Sequence, residues 1–217
     1  MTPFLIILPI VILLLLVVSR KPIRLGNRGE LKVKRALGKN IQDEKYVIND
    51  LLIVYEGKSS QIDHVLITRT GIFVIETKNY SGRIYGIGDQ REWTQVLQYG
   101  NVKNKLYNPI MQNKSHIYAL SKVIGRNDCF VSIIVFPKAE LEIKAATPVG
   151  DIDIIEETLK SRTEMIFKVE EINEIYAKLL EIKNNPQISA REHVSLRVML
   201  SYYVISRPPI YKGVFFV

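Results

Sequence analysis

Three charged side chains interrupt two apolar segments of this 217-residue chain. Asp63 lies within residues 61–67, and Glu76 and Lys78 lie within residues 71–78. Charges in such apolar surroundings are costly unless they are paired or bind a metal. Two neighbouring carboxylates repel each other unless a cation lies between them, and oxygen ligands suit Mg²⁺ or Mn²⁺. The set therefore predicts metal-dependent phosphodiester chemistry, in which a metal activates water and a lysine orients it or neutralises charge.

Two adjacent strands would bring these side chains together. Residues 61–68 and 72–78 are rich in apolar and β-branched residues and are separated by a short turn, which predicts a hairpin. Side chains alternate faces along each strand, and cross-strand partners share a face. The carbonyl group of Thr77 lies between the second acid and the lysine, so it is a further candidate metal ligand.

The register of this hairpin decides which charged residues face each other. With Arg69 and Thr70 as the turn, Asp63 lies opposite Glu76; with the turn one residue later, Asp63 lies opposite Lys78. In both registers the three side chains share one face and one end of the hairpin, whereas an odd-length loop without a bulge would separate them. A buried ion pair between the lysine and either carboxylate is the alternative to a metal site.

Hydrophobic periodicity and turn signals predict the other elements of the chain. Helices are predicted in five segments: 27–37, 109–124, 151–160, 169–183 and 189–204. Strands outside the hairpin are predicted in four segments: 46–55, 83–85, 92–98 and 130–136. The order is helix, three strands, a small β excursion, helix and strand, followed by a helical extension.

The N-terminus has the composition of a membrane anchor. Residues 3–18 carry no charge, and residues 1–19 lie near the lower limit of about 17–25 residues for a spanning helix. Basic residues follow this segment and none precedes it, which disfavours a cleaved signal peptide and predicts a cytoplasmic location for the rest of the chain. Cys129 is the only cysteine, so an intrachain disulfide and CxxC zinc sites are excluded, in agreement with a reducing compartment.

The positive charge of the chain is concentrated in its first two thirds. Up to residue 145 there are 21 basic and 12 acidic residues, whereas the remainder has 9 and 10. A basic field suits nucleic acid or an anionic membrane surface. The alternatives are topology signals next to the anchor and an ordinary solvated face.

Six short motifs occur in a fixed order along the chain: Gly29-Glu30, Gln61-Ile62-Asp63-His64, Gly71-Ile72-Phe73-Val74-Ile75-Glu76-Thr77-Lys78-Asn79, Gly82, Trp93 and Asn108-Pro109-Ile110-Met111-Gln112-Asn113. As a set they closely resemble the nuclease-related domain, or NERD domain, a branch of the PD-(D/E)xK nuclease superfamily. The resemblance implies an α/β, restriction-endonuclease-like core of order αβββαβ. We expect this domain at 20–145, after an anchor at 1–19 and before a helical extension at 146–217.

The resemblance also implies roles for individual residues. Asp63 and Glu76 would be the central metal ligands and Lys78 the catalytic lysine. Glu30 would be the acid of the first helix that faces the metal, although a first-turn acid is also favoured by the helix dipole. Gln112 would reach toward the site from the second core helix, unless it is a surface residue.

Two histidines lie next to these motifs and are not among the expected site residues. His64 alternates to the face opposite Asp63 and is interpreted as a packed or capping residue. His116 shares a helix face with Gln112, one turn later, so it could touch substrate, although this is the less favoured interpretation.

Three functions are compatible with these features. The favoured one is a membrane-anchored, Mg²⁺- or Mn²⁺-dependent nuclease that acts on nucleic acid, with DNA preferred to RNA. The second is a nucleic-acid-binding module of the same fold without turnover. The third is a membrane-associated scaffold whose residues 146–217 bind a protein partner.

Overall fold

The computed structural model describes residues 27–185. The expected anchor at 1–19 and the expected helix at 189–204 lie outside this range. None of the helices between residues 27 and 185 combines the length and the apolar composition that crossing a membrane requires.

The described part of the chain is a mixed α/β structure with two sheets, which confirms the predicted class. The helices are α1 (Asn27–Leu37), α2 (Pro109–Ile124), α3 (Asp153–Lys160) and α4 (Val169–Asn184). The strands are β1 (Lys45–Tyr55), β2 (Lys58–Thr68), β3 (Gly71–Thr77), β4 (Gly82–Ile87), β5 (Glu92–Leu97), β6 (Val102–Tyr107), β7 (Phe130–Val135), β8 (Ala139–Lys144) and β9 (Val149–Gly150). A 3₁₀ turn at Gln98–Gly100 joins β5 to β6.

The central sheet has the strand order β1-β2-β3-β7-β9. The first three strands form an antiparallel meander, and β7 and β9 add to it in parallel. The second sheet has the order β6-β5-β4-β8, with β8 parallel to β4. Because β4 follows β3 and β8 follows β7 along the chain, the second sheet continues from one end of the central sheet.

Helices cover both faces of the central sheet. On one face, Leu120 of α2 and Leu179 of α4 pack with Val65 and Val74 of the hairpin. The second sheet has its own apolar cluster, in which the buried Trp93 packs with Phe136 and with Ile110 at the start of α2. The start of α2 is therefore fixed between the two sheets.

The opposite face of the central sheet is covered by α1 and α3. Val33 of α1 and Ile155 of α3 pack with Phe73 and Ile75 of β3. Every residue of β3 is buried, as expected for a strand covered on both faces.

The predicted helices within the described range are present, and the predicted strands are present with ends that differ by up to three residues. Strands β6, β8 and β9 are additions to the prediction. Strand β9 and helix α4, which follow the expected domain boundary at 145, pack on the central sheet. The boundaries at 19 and 145 stay predictions.

Candidate active site

The β2–β3 hairpin adopts the first of the two expected registers. Thr68 pairs with Gly71 and His64 with Ile75, so the next position along the hairpin sets Asp63 opposite Glu76. The Asp63 carboxylate lies beside the last residue of β3, where its Oδ2 accepts a hydrogen bond of 2.8 Å from the backbone N–H of Thr77. The two acids thus lie across from each other at the end of the hairpin.

Lys78 follows the last residue of β3 rather than lying within the strand. Its backbone N–H still donates to the carbonyl of Val135 on β7, so its position is held by the ladder. Its Nζ lies 2.7 Å from Glu76 Oε1 and donates to Gln112 Oε1, also at 2.7 Å. The lysine therefore joins the hairpin acid to α2, and the structure brings these three expected residues into direct contact.

His116 belongs to this cluster, although it was not among the expected site residues. Its Nε2 lies 3.4 Å from Glu76 Oε2 and 3.3 Å from Gln112 Nε2, while its Nδ1 lies 2.7 Å from the hydroxyl of Ser60. The four-residue spacing from Gln112 was the available signal, because such residues share a helix face. The contact of Ser60, near the start of β2, with His116 had no comparable signal in the sequence.

The two central carboxyl groups have opposite pKa shifts. Burial raises the pKa of Asp63 to about 7, helped by the charges of Glu76 and Glu30 and opposed by the Thr77 N–H and Lys78. Burial alone would also raise the pKa of Glu76, but the contacts with His116 and Lys78 outweigh it and lower the pKa. The pair therefore shares its charge unequally, with Glu76 as the ionised member.

Glu30 interacts with the site electrostatically. It lies in the first turn of α1, and its pKa is raised by partial burial, then by the charges of Asp50 and Glu76. The helix start is held close to the segment after Lys78, because a Cβ on Gly29 would lie only 3.0 Å from the Cβ of Asn79. The structure thus places Glu30 near the central pair without a direct contact to it.

Asp50 is a further acid near the site, and the sequence analysis did not single it out. It lies on β1 between the pairs Asn49–His64 and Leu51–Ile62, which is the position opposite Asp63. Its backbone has φ 55°, a left-handed conformation that interrupts the strand at this point. His64, by contrast, is buried, and its Nδ1 lies 2.6 Å from Asn49 Oδ1.

The chemistry of these side chains fits a divalent cation better than their present spacing does. Among residues 27–185 no three His, Cys, Asp or Glu side chains lie close enough together to form a metal site. The carboxylates of Asp63, Glu76 and Glu30 nevertheless offer oxygen ligands, as Mg²⁺ and Mn²⁺ prefer. Burial and the charge of Glu76 raise the pKa of Asp63, and a cation beside this carboxyl group would favour its ionised form.

Comparisons with known proteins agree with this arrangement. The model of the nuclease-related domain family, NERD, matches residues 25–137, and this family is generally assigned to the PD-(D/E)xK superfamily. An uncharacterized protein of Bacillus anthracis is 32% identical over 175 residues, which cover 78% of this chain and 82% of that protein. No solved structure matches the chain significantly. The chain belongs to the nuclease-related domain family.

Proposed function

We propose that this protein is a membrane-anchored, metal-dependent nuclease that hydrolyses phosphodiester bonds of nucleic acid, DNA in preference to RNA, in the cytoplasm. The contact of Lys78 with both Glu76 and Gln112, beside Asp63, carries the proposal. It gathers two carboxylates, a lysine and an amide at one end of the sheet. Membership of the nuclease-related domain family supports the same conclusion.

The proposed division of labour follows from charge and position. Asp63 and Glu76 would hold Mg²⁺ or Mn²⁺, with Glu30 and the carbonyl of Thr77 as further ligands. When bound, such a metal supplies an activated water and stabilises charge on the phosphate. Lys78 places a positive charge where negative charge develops during phosphodiester hydrolysis.

Gln112 has a supporting role in this proposal. Its Oε1 accepts a hydrogen bond from Lys78, and its Nε2 faces His116. The side chain therefore fixes the direction of the lysine and would keep the ammonium group aimed at the bound phosphate. Because a fixed donor needs no reorganisation during the reaction, this is a contribution of position.

The membrane part of the proposal rests on residues 3–18. Their apolar composition and the basic residues after them are those of an anchor with a cytoplasmic domain. Fractionation of cells that express the full chain tests it. Recovery of the protein in the membrane pellet after an alkaline wash is expected, and full release into the supernatant would contradict it.

Cleavage by the full chain tests the enzymatic proposal. We expect cutting of plasmid or oligonucleotide DNA with Mg²⁺ or Mn²⁺ and none with EDTA. Glu76→Gln and Lys78→Met should each reduce the rate by about 100-fold or more, since the first removes a charged metal ligand and the second removes the positive charge that meets the transition state. The exposed Glu164→Gln and Lys39→Met serve as matched controls. Unchanged cleavage in either site variant would refute the assigned roles.

A second candidate, nucleic-acid binding without turnover, is favoured by one observation. Lys78 pairs with one oxygen of Glu76, and His116 Nε2 lies 3.4 Å from the other, so this carboxylate has partners without a metal. That function predicts salt-sensitive binding, no cleavage with any divalent ion, and little loss of binding in Glu76→Ala. Metal-dependent cleavage by the wild-type chain would exclude it.

A further inference from the structure

The turn between β5 and β6 holds an aromatic side chain in solvent. Gln98, Tyr99 and Gly100 have φ values of 49°, 55° and 102°, so three consecutive residues are left-handed. Two of them are not glycine, and such residues rarely adopt this conformation. The Tyr99 side chain at the tip is fully exposed, with a relative accessibility of 110%. Backbone strain that presents a side chain in this way is characteristic of binding elements.

The base of this turn is fixed next to the catalytic end of the sheet. Gln95 on β5 donates a hydrogen bond of 2.8 Å to the carbonyl of Ser81, which lies three residues after Lys78. Gly82 has φ +76°, and a Cβ at this position would lie 2.5 Å from the carbonyl oxygen of Val96. Only glycine allows so close an approach, so the β5–β6 hairpin is anchored to the segment that leaves the candidate active site.

A groove of about 610 Å³ lies beside the tip of the hairpin. Its lining includes Tyr99 and Leu97 from the hairpin, Tyr85 and Arg83 from β4, and Glu140 from β8. Apolar and aromatic groups line one part of it, and the ion pair of Arg83 with Glu140, at 3.0 Å, lines another. The aromatic part matches a ligand that has flat rings.

The charge of this region points to a polyanion. Residues 93–127, which include the hairpin tip and α2, contain no Asp or Glu and five basic residues: Lys103, Lys105, Lys114, Lys122 and Arg126. Lys103 and Lys105 are exposed on β6, just after the tip. Since α2 also carries Gln112, the acid-free stretch extends from the tip to the candidate active site.

We propose that the β5–β6 hairpin binds single-stranded nucleic acid, with Tyr99 stacked on an unpaired base and Lys103 and Lys105 on its phosphates. The faces of the bases are covered in a duplex and available in a single strand, and stacking on an aromatic ring is tolerant of sequence. The hairpin then leads the strand toward Asp63 and Glu76. This assignment of substrate class rests on the proposed function for what happens to the strand after binding.

Binding by the full chain in EDTA tests the proposal without any cleavage. The probes are a short fluorescein-labelled DNA strand, the RNA strand of the same sequence, and the DNA duplex, followed by fluorescence anisotropy. We expect tighter binding of the single strands than of the duplex. Tyr99→Ala should weaken single-strand binding by about tenfold, and Tyr99→Phe should not, because stacking needs the ring and not the hydroxyl. Lys103→Ala and Lys105→Ala should each reduce the salt dependence of binding.

Tyr107→Ala is the matched control, since this exposed tyrosine lies on the same hairpin at the end away from the tip. Single-strand affinity that is unchanged in Tyr99→Ala, or lowered equally in Tyr107→Ala, would overturn the proposal. So would a preference for the duplex. A chain that binds single strands through Tyr99 but never cuts DNA would refute only the nuclease. Normal DNA cleavage by the Tyr99→Ala variant would refute only the stacking role of Tyr99.

Discussion

At the scale of single residues, the site depends on two acids that face each other in different surroundings. Glu76 is 2% exposed, but the Lys78 ammonium group lies 2.7 Å from its Oε1, and His116 Nε2 lies 3.4 Å from its Oε2. Within residues 27–185, the backbone N–H of Thr77 is the hydrogen-bonding partner of Asp63, and Glu76 repels its charge from across the hairpin. Ionisation of Asp63 therefore destabilises the folded chain. A bound cation would reduce this destabilisation.

Asp63→Asn should stabilise the protein above neutral pH. The pKa of Asp63 rises from 3.8 in the reference state to about 7 in the fold, so folding loses stability as pH increases through this window. The amide keeps the shape and an acceptor for the Thr77 N–H but has no charge. We expect a gain of about 1–3 kcal/mol at high pH and almost none near pH 4, measured as thermal unfolding in EDTA.

The exposed Asp89→Asn is the control for this series, and an equal gain at both pH values would contradict the explanation. Mg²⁺ or Mn²⁺ gives an independent measurement, because a ligand that binds only the folded state raises its stability. Above neutral pH the metal should raise the melting temperature of the wild-type chain and have little effect on Asp63→Asn.

The convergence of Asp63, Glu76 and Lys78 could be predicted because strand alternation and a short turn leave few registers. His116 was within reach of the same reasoning, but its importance depends on how α2 is rotated over the sheet. Asp50 was out of reach, because a local left-handed conformation on β1 is not encoded by any periodic pattern.

At the scale of elements, the start of α2 determines where Gln112 lies. Asn108 is completely buried, and its Oδ1 caps the helix by accepting a hydrogen bond from the N–H of Ile110. Its Nδ2 donates to the carbonyls of Gly88 and Gln90 in the loop between β4 and β5. One side chain thus begins the helix and also attaches it to the second sheet.

Asn108→Ala should destabilise the protein by about 2–4 kcal/mol, because it removes a cap and the two hydrogen bonds that this buried side chain donates to the β4–β5 loop. Asn108→Asp keeps the capping oxygen but cannot donate, so an intermediate loss is expected. Urea unfolding measures both changes. The exposed Asn127→Ala should have an effect within about 0.5 kcal/mol. Equal stability of Asn108→Ala and the wild-type chain would show that the loop does not depend on this residue.

The elements that the sequence did not predict are those defined by distant partners. Helix α2 begins and ends where its proline, cap and glycine indicate, since these signals are local. Strand β8 alternates apolar and polar residues, but its partner β4 lies more than 50 residues earlier. Strand β9 has two residues and exists through its pairing with β7. Local patterns do not specify pairings of this kind.

At the scale of the whole molecule, the segment after the family match completes the core. Helix α4 lies beyond residue 137, where the family model ends, yet its apolar face packs on the central sheet. The ring of Tyr176 stacks on Tyr46 of β1 at 4.3 Å between centroids, and the Tyr46 hydroxyl donates to Asn173. We infer that α4 and the family-matched part of the chain unfold together.

Leu179→Ala tests this inference, because Leu179 is completely buried between α4 and the sheet. A loss of about 2–5 kcal/mol is expected for such a truncation in a packed core. Trp93, the single tryptophan, lies in the separate cluster of the second sheet and reports on a distant part of the fold. Its fluorescence and the far-ultraviolet circular dichroism should shift together to lower urea concentration.

The matched control is Leu180→Ala. Leu180 is the next residue of α4, and its leucine side chain is 38% exposed. Its loss should be well below that of Leu179→Ala, because fewer contacts disappear and no cavity forms. Two separate transitions in Leu179→Ala, with the fluorescence of Trp93 unchanged, would mean that α4 detaches while the sheets stay folded. A single shifted transition means that the hairpin with Asp63 and Glu76 depends on a helix outside the family-matched region.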